Sequence, residues 1–596
     1  MDTLIDRREL AFQLYDMLNV EQLCTRSAFQ DHDRETFESV LDVAEKIARD
    51  YLVDHNRLVD EQEPAFDGEK VTMRPEVKEA FDAIAGAGFI AGREPYENGG
   101  MQLPESVMSA CMAVMSAANV STVAYPFLTT AAARVIKHFA SDDLKQQFLP
   151  PMFKGRFTGT MALTEPQAGS SLADIVTKAT PSDDGSYRIK GHKVYISAGD
   201  HELSDNIIHL VLAKIEGAPA GVKGISLFLV PKFLLNENGE PAERNDVALA
   251  GLFHKLGYRG TTSTALNFGE QGNCVGYLIG EPHQGLKYMF QMMNEARIMV
   301  GMGATSLGYR GYQHSLEYAR TREQGRSPSN SHPDSKPLSI IEHADVKRML
   351  LAQKAYTEGG LALGLYGCSL VDDINSASST KREEAQLLLD LLTPILKAWP
   401  SEFCLKANDL AIQVLGGAGY TREYPVEQCW RDNRLNPIHE GTNGIQSIDL
   451  LGRKVWMQSG QGLKLLHREM TLTTENSPEV FNDWVTQLQS TLAAITEIMM
   501  TVGGQLRENP DKALANSHAF LTLMGHTVVA WQWLKQAGIA QAKLAGDCSE
   551  QEQAFYRGKV QAAHYFFAWE LPTVQRDIAV LKAADQTVFD MQSNWF

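Results

Sequence analysis

The sequence predicts an α+β protein of several domains: an N-terminal helical domain, a central antiparallel β-barrel domain, a C-terminal helical bundle and an additional C-terminal helical domain. The chain has 596 residues, which is too long for one hydrophobic core, since cores stop growing at roughly 250–300 residues. Short strand-like segments separated by Gly, Asp, Asn and Pro occupy its second quarter, and this pattern is typical of antiparallel barrels or sandwiches. On both sides of that region, apolar residues recur at helical spacing.

The N-terminal helical domain is predicted over residues 1–158. It contains periodic apolar stripes such as Phe37, Val40, Leu41, Ala44 and Ile47. The β domain is predicted over residues 159–283, where "YRIKGHKVYIS", "NIIHLVLAKI" and "GISLFLVPKF" are the clearest strands.

Helical spacing resumes in the region predicted as a bundle, residues 284–460, and again in the additional domain, residues 470–596. Ser477-Pro478-Glu479 is a good helix start for the latter, because proline is favoured in a first helical turn. The apolar face predicted to follow it consists of Phe481, Trp484, Val485, Leu488, Leu492, Ile495 and Met499.

The composition excludes several classes of protein. A net charge of −18 argues against a nucleic-acid binder, which would need a basic surface. The seven cysteines form no CxxC pair, which suits a reducing compartment. We find no signal peptide and no run that approaches 18 apolar residues, so we expect no membrane span and a cytoplasmic location. The 16 histidines lack ligand spacing, so we expect no metal.

Common catalytic motifs are also missing: the sequence has no GxSxG, no HExxH and no GxxxxGK[ST]. The glycines of "GMGATS", which begins at Gly301, are better explained by close helix packing than by phosphate binding. Six unusual stretches remain, in the order "ALTEPQAGSS", "HKVYISAGD", "MMNEARI", "YARTREQGR", "QVLGGAGYTREYPVEQCWRD" and "IHEGTNGIQ". Each of them alone could be a turn, a helix cap or a solvated charge.

The order and wording of these stretches resemble the acyl-CoA dehydrogenase family, over about residues 35–455. "HKLGYRG", "GEPHQGLKYMFQMMNEARI", "REQGR" and "EGTNGIQSIDLLGRK" are similar to its long bacterial subgroup, which has an extra C-terminal helical domain. That subgroup includes 3-methylmercaptopropionyl-CoA dehydrogenases and long-chain acyl-CoA dehydrogenases.

The resemblance implies FAD-dependent formation of a trans double bond between Cα and Cβ of an acyl-CoA. Glu440 would be the base that takes the α-proton while a hydride leaves Cβ for flavin N5. A carboxylate in an apolar pocket gains basicity, because burial disfavours its charged form. The backbone N–H of Glu440 would help to polarise the thioester, and Gly441 would allow the required turn. Taken alone, Glu440 could equally be a loop residue or a helix cap.

The resemblance also implies how FAD is held. Residues that match positions against the flavin ring are Leu163, Thr164, Gly169, Ser170, Tyr195, Ile196 and Ser197, with tyrosine where relatives often have tryptophan. Residues that match positions at the pyrophosphate and adenosine, partly supplied by a neighbouring subunit, are Arg322, Gln324, Gln413, Gly416, Gly417, Thr442 and Gly444. A cofactor shared in this way implies at least a homodimer. Residues that match substrate positions are Ser170, Asn294, Arg297, His439 and Gly441.

Three positions depart from the family pattern. Ser171 stands where aspartate is usual, and the nearest aspartate is Asp174. Gln428 replaces a basic residue, which would weaken an ion pair to Asp432. His439 precedes the base where tyrosine is frequent, and a neutral imidazole there would shape the acyl pocket or tune the base.

The expected substrate is a medium- or long-chain fatty acyl-CoA, with 3-methylthiopropanoyl-CoA as the alternative and an electron-transfer flavoprotein as electron acceptor. An acyl-CoA oxidase would share the chemistry but produce peroxide. A flavoprotein of the DNA-alkylation-response type would share the fold, but the basic face it needs is missing after residue 470. A scaffold without turnover is the third rival.

Overall fold

The computed structural model describes residues 4–330 and 332–596, and their side chains except those of residues 290–294. Its first region is helical. Asp33 begins the second helix by accepting a hydrogen bond from the Thr36 N–H (2.8 Å), and that helix buries the predicted stripe with only Val40 partly exposed. The helices of this region are α1 (Arg7–Ala11), α2 (Arg34–Ile47), α3 (Val53–Glu61), α4 (Pro75–Gly86), α5 (Glu105–Phe139) and α6 (Asp142–Phe153).

Helix α5 is long and apolar enough to cross a membrane, with a window of mean hydropathy 1.5. The sequence alone did not show this, because small polar residues interrupt its apolar run. Within the protein, 94% of the window is buried, which is typical of a core helix. The helix kinks at Asn119, whose side chain accepts a hydrogen bond from the Thr122 N–H (3.1 Å) and so begins the second half.

The central region is a β-barrel. A small hairpin precedes it, β1 (Ala65–Phe66) and β2 (Val71–Thr72). The other strands are β3 (Phe157–Ala162), β4 (Lys178–Pro181), β5 (Tyr187–Ser197), β6 (Asn206–Ile215), β7 (Ile225–Pro231), β8 (Phe233–Leu235), β9 (Pro241–Arg244), β10 (Val247–Leu252), β11 (Ser263–Phe268) and β12 (Val275–Ile279).

The main sheet has the order β10-β11-β5-β12-β7-β6-β3. Strand β4 pairs with both β5 and β6 and thereby closes the ring β5-β12-β7-β6-β4. Most pairs are antiparallel, as predicted, but β6 runs parallel to β3 and to β4. The reason is that the chain turns back once between β4 and β5 and again before β6, so β4 and β6 point the same way.

Three long helices form the bundle: α7 (Gly285–Thr321), α8 (Ala344–Ser376) and α9 (Ser379–Leu415). They are followed by the short helices α10 (Val426–Asn433) and α11 (Asn443–Gly452). Helices α7 and α9 approach closely at Gly301, where a Cβ atom would collide with the Leu396 carbonyl oxygen. The glycine at this position therefore serves helix packing, as the sequence indicated.

The last region is helical: α12 (Gln461–Glu475), α13 (Asn482–Glu508), α14 (Pro510–Leu514), α15 (Ser517–Leu544), α16 (Glu550–Tyr565), α17 (Val574–Lys582) and α18 (Thr587–Asp590). A short turn, Glu479–Phe481, precedes α13, so the α-helix begins three residues later than the Ser-Pro-Glu signal suggested. Leu488, Leu492, Ile495 and Met499 are buried, as predicted, while Trp484 and Val485 of the predicted face are only partly buried.

This last region also supports the rest of the molecule. Helix α15 packs on α11, and the hydroxyls of Ser447 and Ser517 lie 3.1 Å apart across that contact. The fully buried Lys559 of α16 donates hydrogen bonds to Glu9 of α1 (2.6 Å) and to Glu358 of α8 (2.8 Å). The chain's two ends are thus joined through buried charges.

Candidate active site

The flavin-side residues predicted from the β domain lie together at one end of the barrel. Leu163 and Thr164 follow β3 directly, and Tyr195, Ile196 and Ser197 end β5. The Thr164 carbonyl accepts a hydrogen bond from the Val194 N–H (2.9 Å), which places the two stretches side by side. The two stretches are thirty residues apart in the sequence, and the contact between them becomes visible only in the fold.

A buried ion pair holds this end of the barrel, and sequence reasoning missed it. The Lys193 ammonium lies 2.8 Å from Glu165 and also donates to the Leu163 carbonyl (3.0 Å). Burial alone raises the pKa of Glu165, but Lys193 and the hydrogen bonds from Thr177 and Val176 outweigh it and lower the pKa to about 2. The sequence contains one sign of this ion pair: Lys193 stands at an inward-facing position of β5, a strand whose side chains alternate between the two faces of the sheet.

The end of β5 offers a surface for a planar ligand. Tyr195 has a φ of +58° and a side chain that is 63% exposed, and its ring packs on Phe253 with centroids 4.4 Å apart. Ile196 is buried beneath, and the Ser197 side chain is exposed. An exposed aromatic ring beside free hydroxyl groups fits the face and edge of a flavin ring.

The Gly169-Ser170 corner is exposed, next to the same end of the barrel. One residue further, the Ser171 hydroxyl donates to the Asp174 carboxylate (2.9 Å). The serine at this departure from the family pattern therefore engages the nearby aspartate directly.

The Glu440 loop lies between α10 and α11 and has a constrained backbone. Glu440 has a φ of +53° and Gly441 a φ of +85°, and positive values are unfavourable for a residue with a side chain. Thr442 caps α11 by accepting a hydrogen bond from the Ile445 N–H (3.2 Å). Gln446 donates to the carbonyl oxygens of both Glu440 (3.2 Å) and Gly441 (3.3 Å), which fixes the turn.

The charges around Glu440 come from three helices. Burial raises the pKa of the Glu440 carboxyl, while Arg297 of α7 and Lys397 of α9 act in the opposite direction. Arg297 is buried and pairs with Asp449 of α11 (3.2 Å), and its Nε has no hydrogen-bond partner among the described residues. An unpartnered buried donor at this position is suited to a polar ligand.

Lys397 was not predicted from the sequence. It is fully buried on α9, and its ammonium donates to the Asn443 side chain (3.1 Å). Burial lowers its pKa to about 7 against the raising effect of Glu440. The one signal was a lysine inside the apolar run "LLTPILKAWP".

His439 is held as a neutral ring. Its Nε2 lies 3.0 Å from the Asn436 side-chain oxygen, and its ring meets Tyr258 edge to face at 6.1 Å. Burial, and after it the Lys397 charge, lower its pKa to about 3. The imidazole therefore carries no charge next to Glu440 near neutral pH.

A second group of predicted residues lies at the far end of the bundle. Arg322 and Gln324 follow α7 and contact each other (3.3 Å), while Gln413, Gly416 and Gly417 are exposed where α9 ends. These two helix ends pack in one apolar cluster. Arg297 and Arg322 are 25 residues apart, so at 1.5 Å per residue roughly 38 Å of helix separates this group from the base. Within one chain, Thr442 and Gly444 lie at the start of α11, close to Glu440 in the sequence, and do not belong to this group.

Gln428 and Asp432 each have a hydrogen-bond partner elsewhere in the molecule. Gln428 donates to the Asn56 carbonyl (3.1 Å), and buried Asp432 accepts from the Tyr258 N–H (2.6 Å), so they do not bond each other. The neighbouring Arg431 pairs with Asp60 instead (2.6 Å).

The Asn294 side chain lies outside the described residues. Among the described residues, no cluster of three or more His, Cys, Asp or Glu side chains is arranged to hold a metal ion.

Family models match almost the whole chain. They are those of the acyl-CoA dehydrogenase N-terminal domain (residues 34–156), middle domain (160–270) and C-terminal domain (283–455), and one described as acetyl-CoA dehydrogenase C-terminal like (466–592). The chain belongs to the acyl-CoA dehydrogenase family. It is an oxidoreductase that acts on acyl-CoA.

Two relatives match over nearly the full length of the chain. The 3-methylmercaptopropionyl-CoA dehydrogenase of Ruegeria pomeroyi is 35% identical, with 94% of each chain covered. A butyryl-CoA dehydrogenase of Syntrophomonas wolfei is 34% identical, over 100% of this chain and 99% of the relative. The crystal structure of a Bacillus anthracis acyl-CoA dehydrogenase complexed with FAD has the same fold, with a TM-score of 0.74, 18% identity, and 94% and 91% of the two chains covered.

Proposed function

We propose that this protein oxidises an acyl-CoA thioester to the trans-2-enoyl-CoA, with Glu440 as the base that removes the α-proton. The observation that carries the assignment is the Glu440 loop. A carboxylate whose pKa is raised by burial sits on a fixed, strained turn next to buried Arg297, whose Nε has no hydrogen-bond partner among the described residues. Strain of this kind is often retained at catalytic sites.

The cofactor is FAD, and when bound it supplies the acceptor for the hydride that leaves Cβ. The barrel residues fit its ring, because Tyr195 offers an exposed aromatic face and Thr164 and Ser197 offer hydroxyl groups beside it. The proposed ring contacts are those named from the sequence, including the exposed Gly169-Ser170 corner.

Glu440 has two tasks in this account. Its carboxylate takes the α-proton, for which a raised pKa brings its basicity closer to that of the weakly acidic thioester. Its backbone N–H polarises the thioester carbonyl, and a preorganised donor of this kind contributes roughly 3–4 kcal/mol. Arg297, with its free Nε, and Gly441 lie next to both groups and are proposed substrate contacts.

We propose that two subunits share each FAD. The Arg322 group lies roughly 38 Å along α7 from the Glu440 region, which is too far for one chain to serve both ends of the same site. Arg322 has an exposed, always-charged guanidinium, which suits a pyrophosphate from a neighbouring chain. A homodimer is the smallest assembly that satisfies this arrangement.

The substrate, acceptor and location are also proposals. We favour a medium- or long-chain fatty acyl-CoA, with 3-methylthiopropanoyl-CoA as the alternative that the Ruegeria relative supports. An electron-transfer flavoprotein would receive the electrons. A cytoplasmic location agrees with the seven unpaired cysteines. The four proposed domains are residues 1–158, 159–283, 284–460 and 470–596. Separate family models match residues 160–270, 283–455 and 466–592, which supports this division.

Anaerobic titration of the purified yellow protein with a panel of acyl-CoAs tests the reaction. The panel includes butyryl-CoA, long linear acyl-CoAs and 3-methylthiopropanoyl-CoA. Bleaching of the flavin by at least one of them is expected, and bleaching by none contradicts the proposal. In air, rapid peroxide formation at turnover would favour an oxidase. Salt-sensitive binding of duplex DNA in a filter assay would favour the DNA-response alternative.

A further inference from the structure

Lys397 is a buried charge that the proposed reaction leaves unexplained. It lies in the middle of α9, one residue after Leu396, where α9 meets α7 at Gly301. Its side chain reaches Asn443, the first residue of α11, with a distance of 3.1 Å from Nζ to Oδ1. Asn443 follows Glu440 by three residues, so the ammonium is attached to the loop that carries the proposed base.

Burying an ammonium group is costly unless another charge compensates it. Within the described part of the chain, no carboxylate forms a salt bridge with Lys397. Among the groups that the structure describes, Glu440 is the anionic one that acts on Lys397 and raises its pKa, and Arg297 opposes that effect. Arg297 has its own counter-ion, since Asp449 pairs with it (3.2 Å). Glu440 lies three residues before Asn443, to which Lys397 donates its hydrogen bond, and it is the carboxylate that compensates the Lys397 charge without a direct salt bridge.

We propose that Lys397 is a positioning residue for Glu440: its buried ammonium, held by Asn443, favours the ionised carboxylate and keeps it directed into the site. This inference rests on the proposed role of Glu440 as the base. It assigns the lysine to the electrostatics of the loop and not to direct contact with substrate.

The other groups around the loop do not substitute for this charge. Asp449 of α11 pairs with Arg453, the residue that follows this helix (2.7 Å), and also with Arg297 (3.2 Å). His439 is neutral, because burial and the Lys397 charge lower its pKa to about 3. Lys397 is cationic below its own pKa of about 7. In that range it lowers the pKa of Glu440, so its removal must raise the pKa of Glu440.

The test compares Lys397→Met, which removes the charge, with Lys397→Arg, which retains it. The rate of anaerobic flavin bleaching is measured against pH at saturating acyl-CoA. An opposite charge within about 4–6 Å shifts a carboxyl pKa by about 1–3 units. We expect the acidic limb of the Lys397→Met profile to move upward by about 1 unit, while Lys397→Arg stays near wild type. A third variant, Asn443→Ala, keeps the charge but releases it, and a smaller shift is expected.

A second readout does not depend on turnover. Infrared titration of the holoenzyme follows the carboxylic-acid band that is lost in Glu440→Gln, and this band should persist to higher pH in Lys397→Met. A lower Tm with an unshifted band and an unshifted profile would reduce Lys397 to a structural residue and overturn the inference. If Glu440→Gln bleaches normally, the base assignment fails, but the infrared titration still decides whether Lys397 sets the Glu440 pKa. If Lys397→Met does not fold, the same two measurements on Asn443→Ala decide, and no shift there overturns the inference.

Discussion

At the scale of single residues, the site depends on how the Glu440 loop is held. Gln446 fixes the carbonyl groups of Glu440 and Gly441, and Thr442 caps the following helix. A side chain at Gly441 would approach the Gln446 amide to 2.8 Å, on a backbone with a φ of +85°. The backbone of the loop therefore has little freedom to adopt another shape.

His439 stands next to Glu440 as a neutral ring. Its pKa of about 3 keeps the ring neutral from pH 5 to 9, so it contributes no titration to the rate in that range. In His439→Gln we expect the pH profile of bleaching to keep its shape, while KM changes with acyl chain length because the pocket wall changes. A profile that loses a limb in this variant would show that His439 tunes the base through its charge.

At the scale of elements, α7 and α9, which meet at Gly301, carry Arg297 and Lys397, and both of these cations act on the Glu440 carboxyl. Gly301→Ala should separate these helices, because its Cβ would strike the backbone oxygen of Leu396. Overpacking costs about 1–3 kcal/mol, which chemical unfolding would detect together with a lower bleaching rate.

Gly303→Ala is the matched control two residues along α7. The nearest atom to its new Cβ is the Tyr258 hydroxyl, at 3.8 Å, so the substitution fits. Alanine is favoured over glycine in helices by up to about 1 kcal/mol, and stability should be equal or higher. Equal destabilisation of the two variants would contradict the close-packing role of Gly301.

The buried ion pair between Lys193 and Glu165 stabilises the end of the barrel. Lys193→Met leaves Glu165 buried without its partner, which costs about 3–5 kcal/mol, and it frees the Leu163 carbonyl beside the proposed flavin. We expect a lower Tm and weaker FAD retention, measured by flavin fluorescence. The double variant Lys193→Met with Glu165→Gln should recover much of the Tm.

The same ion pair predicts a pH dependence. The pKa of Glu165 is about 2 in the folded protein, below its ordinary value near 4.5. Its contribution to stability is therefore complete above about pH 4.5 and is lost as the pH falls toward 2. In Glu165→Gln, acid unfolding should be less steep over that interval. An unchanged acid limb would show that Glu165 is not the group responsible.

At the scale of the whole molecule, the proposed sharing of FAD can be tested by mixing defects. Glu440→Gln and Arg322→Ala subunits are coexpressed, and each variant is also measured alone. If each site combines the base of one chain with Arg322 of its partner, a mixed dimer has one intact site, and activity returns. If each chain forms a complete site, every site in the mixture keeps one defect, and no activity returns.

The sequence predicted the family and the order of helical and β regions, because helical spacing, strand length and the family wording are local signals. It did not predict the two parallel strand pairs, since strand direction depends on how β4 and β5 turn back. It missed Lys193 and Lys397, because both belong to segments that read as core and their partners lie far away in the chain. Their function becomes visible only when Glu165 and Asn443 are placed beside them.

The most direct test of the account is Glu440→Gln, compared with wild type under anaerobic conditions with an acyl-CoA that bleaches the wild-type flavin. Glutamine preserves the shape of the loop but cannot accept the α-proton. Because general-base catalysis typically contributes 10²- to 10⁴-fold, we predict normal acyl-CoA binding and bleaching slowed by at least about a hundredfold. Bleaching at the wild-type rate would contradict the account and place the base elsewhere.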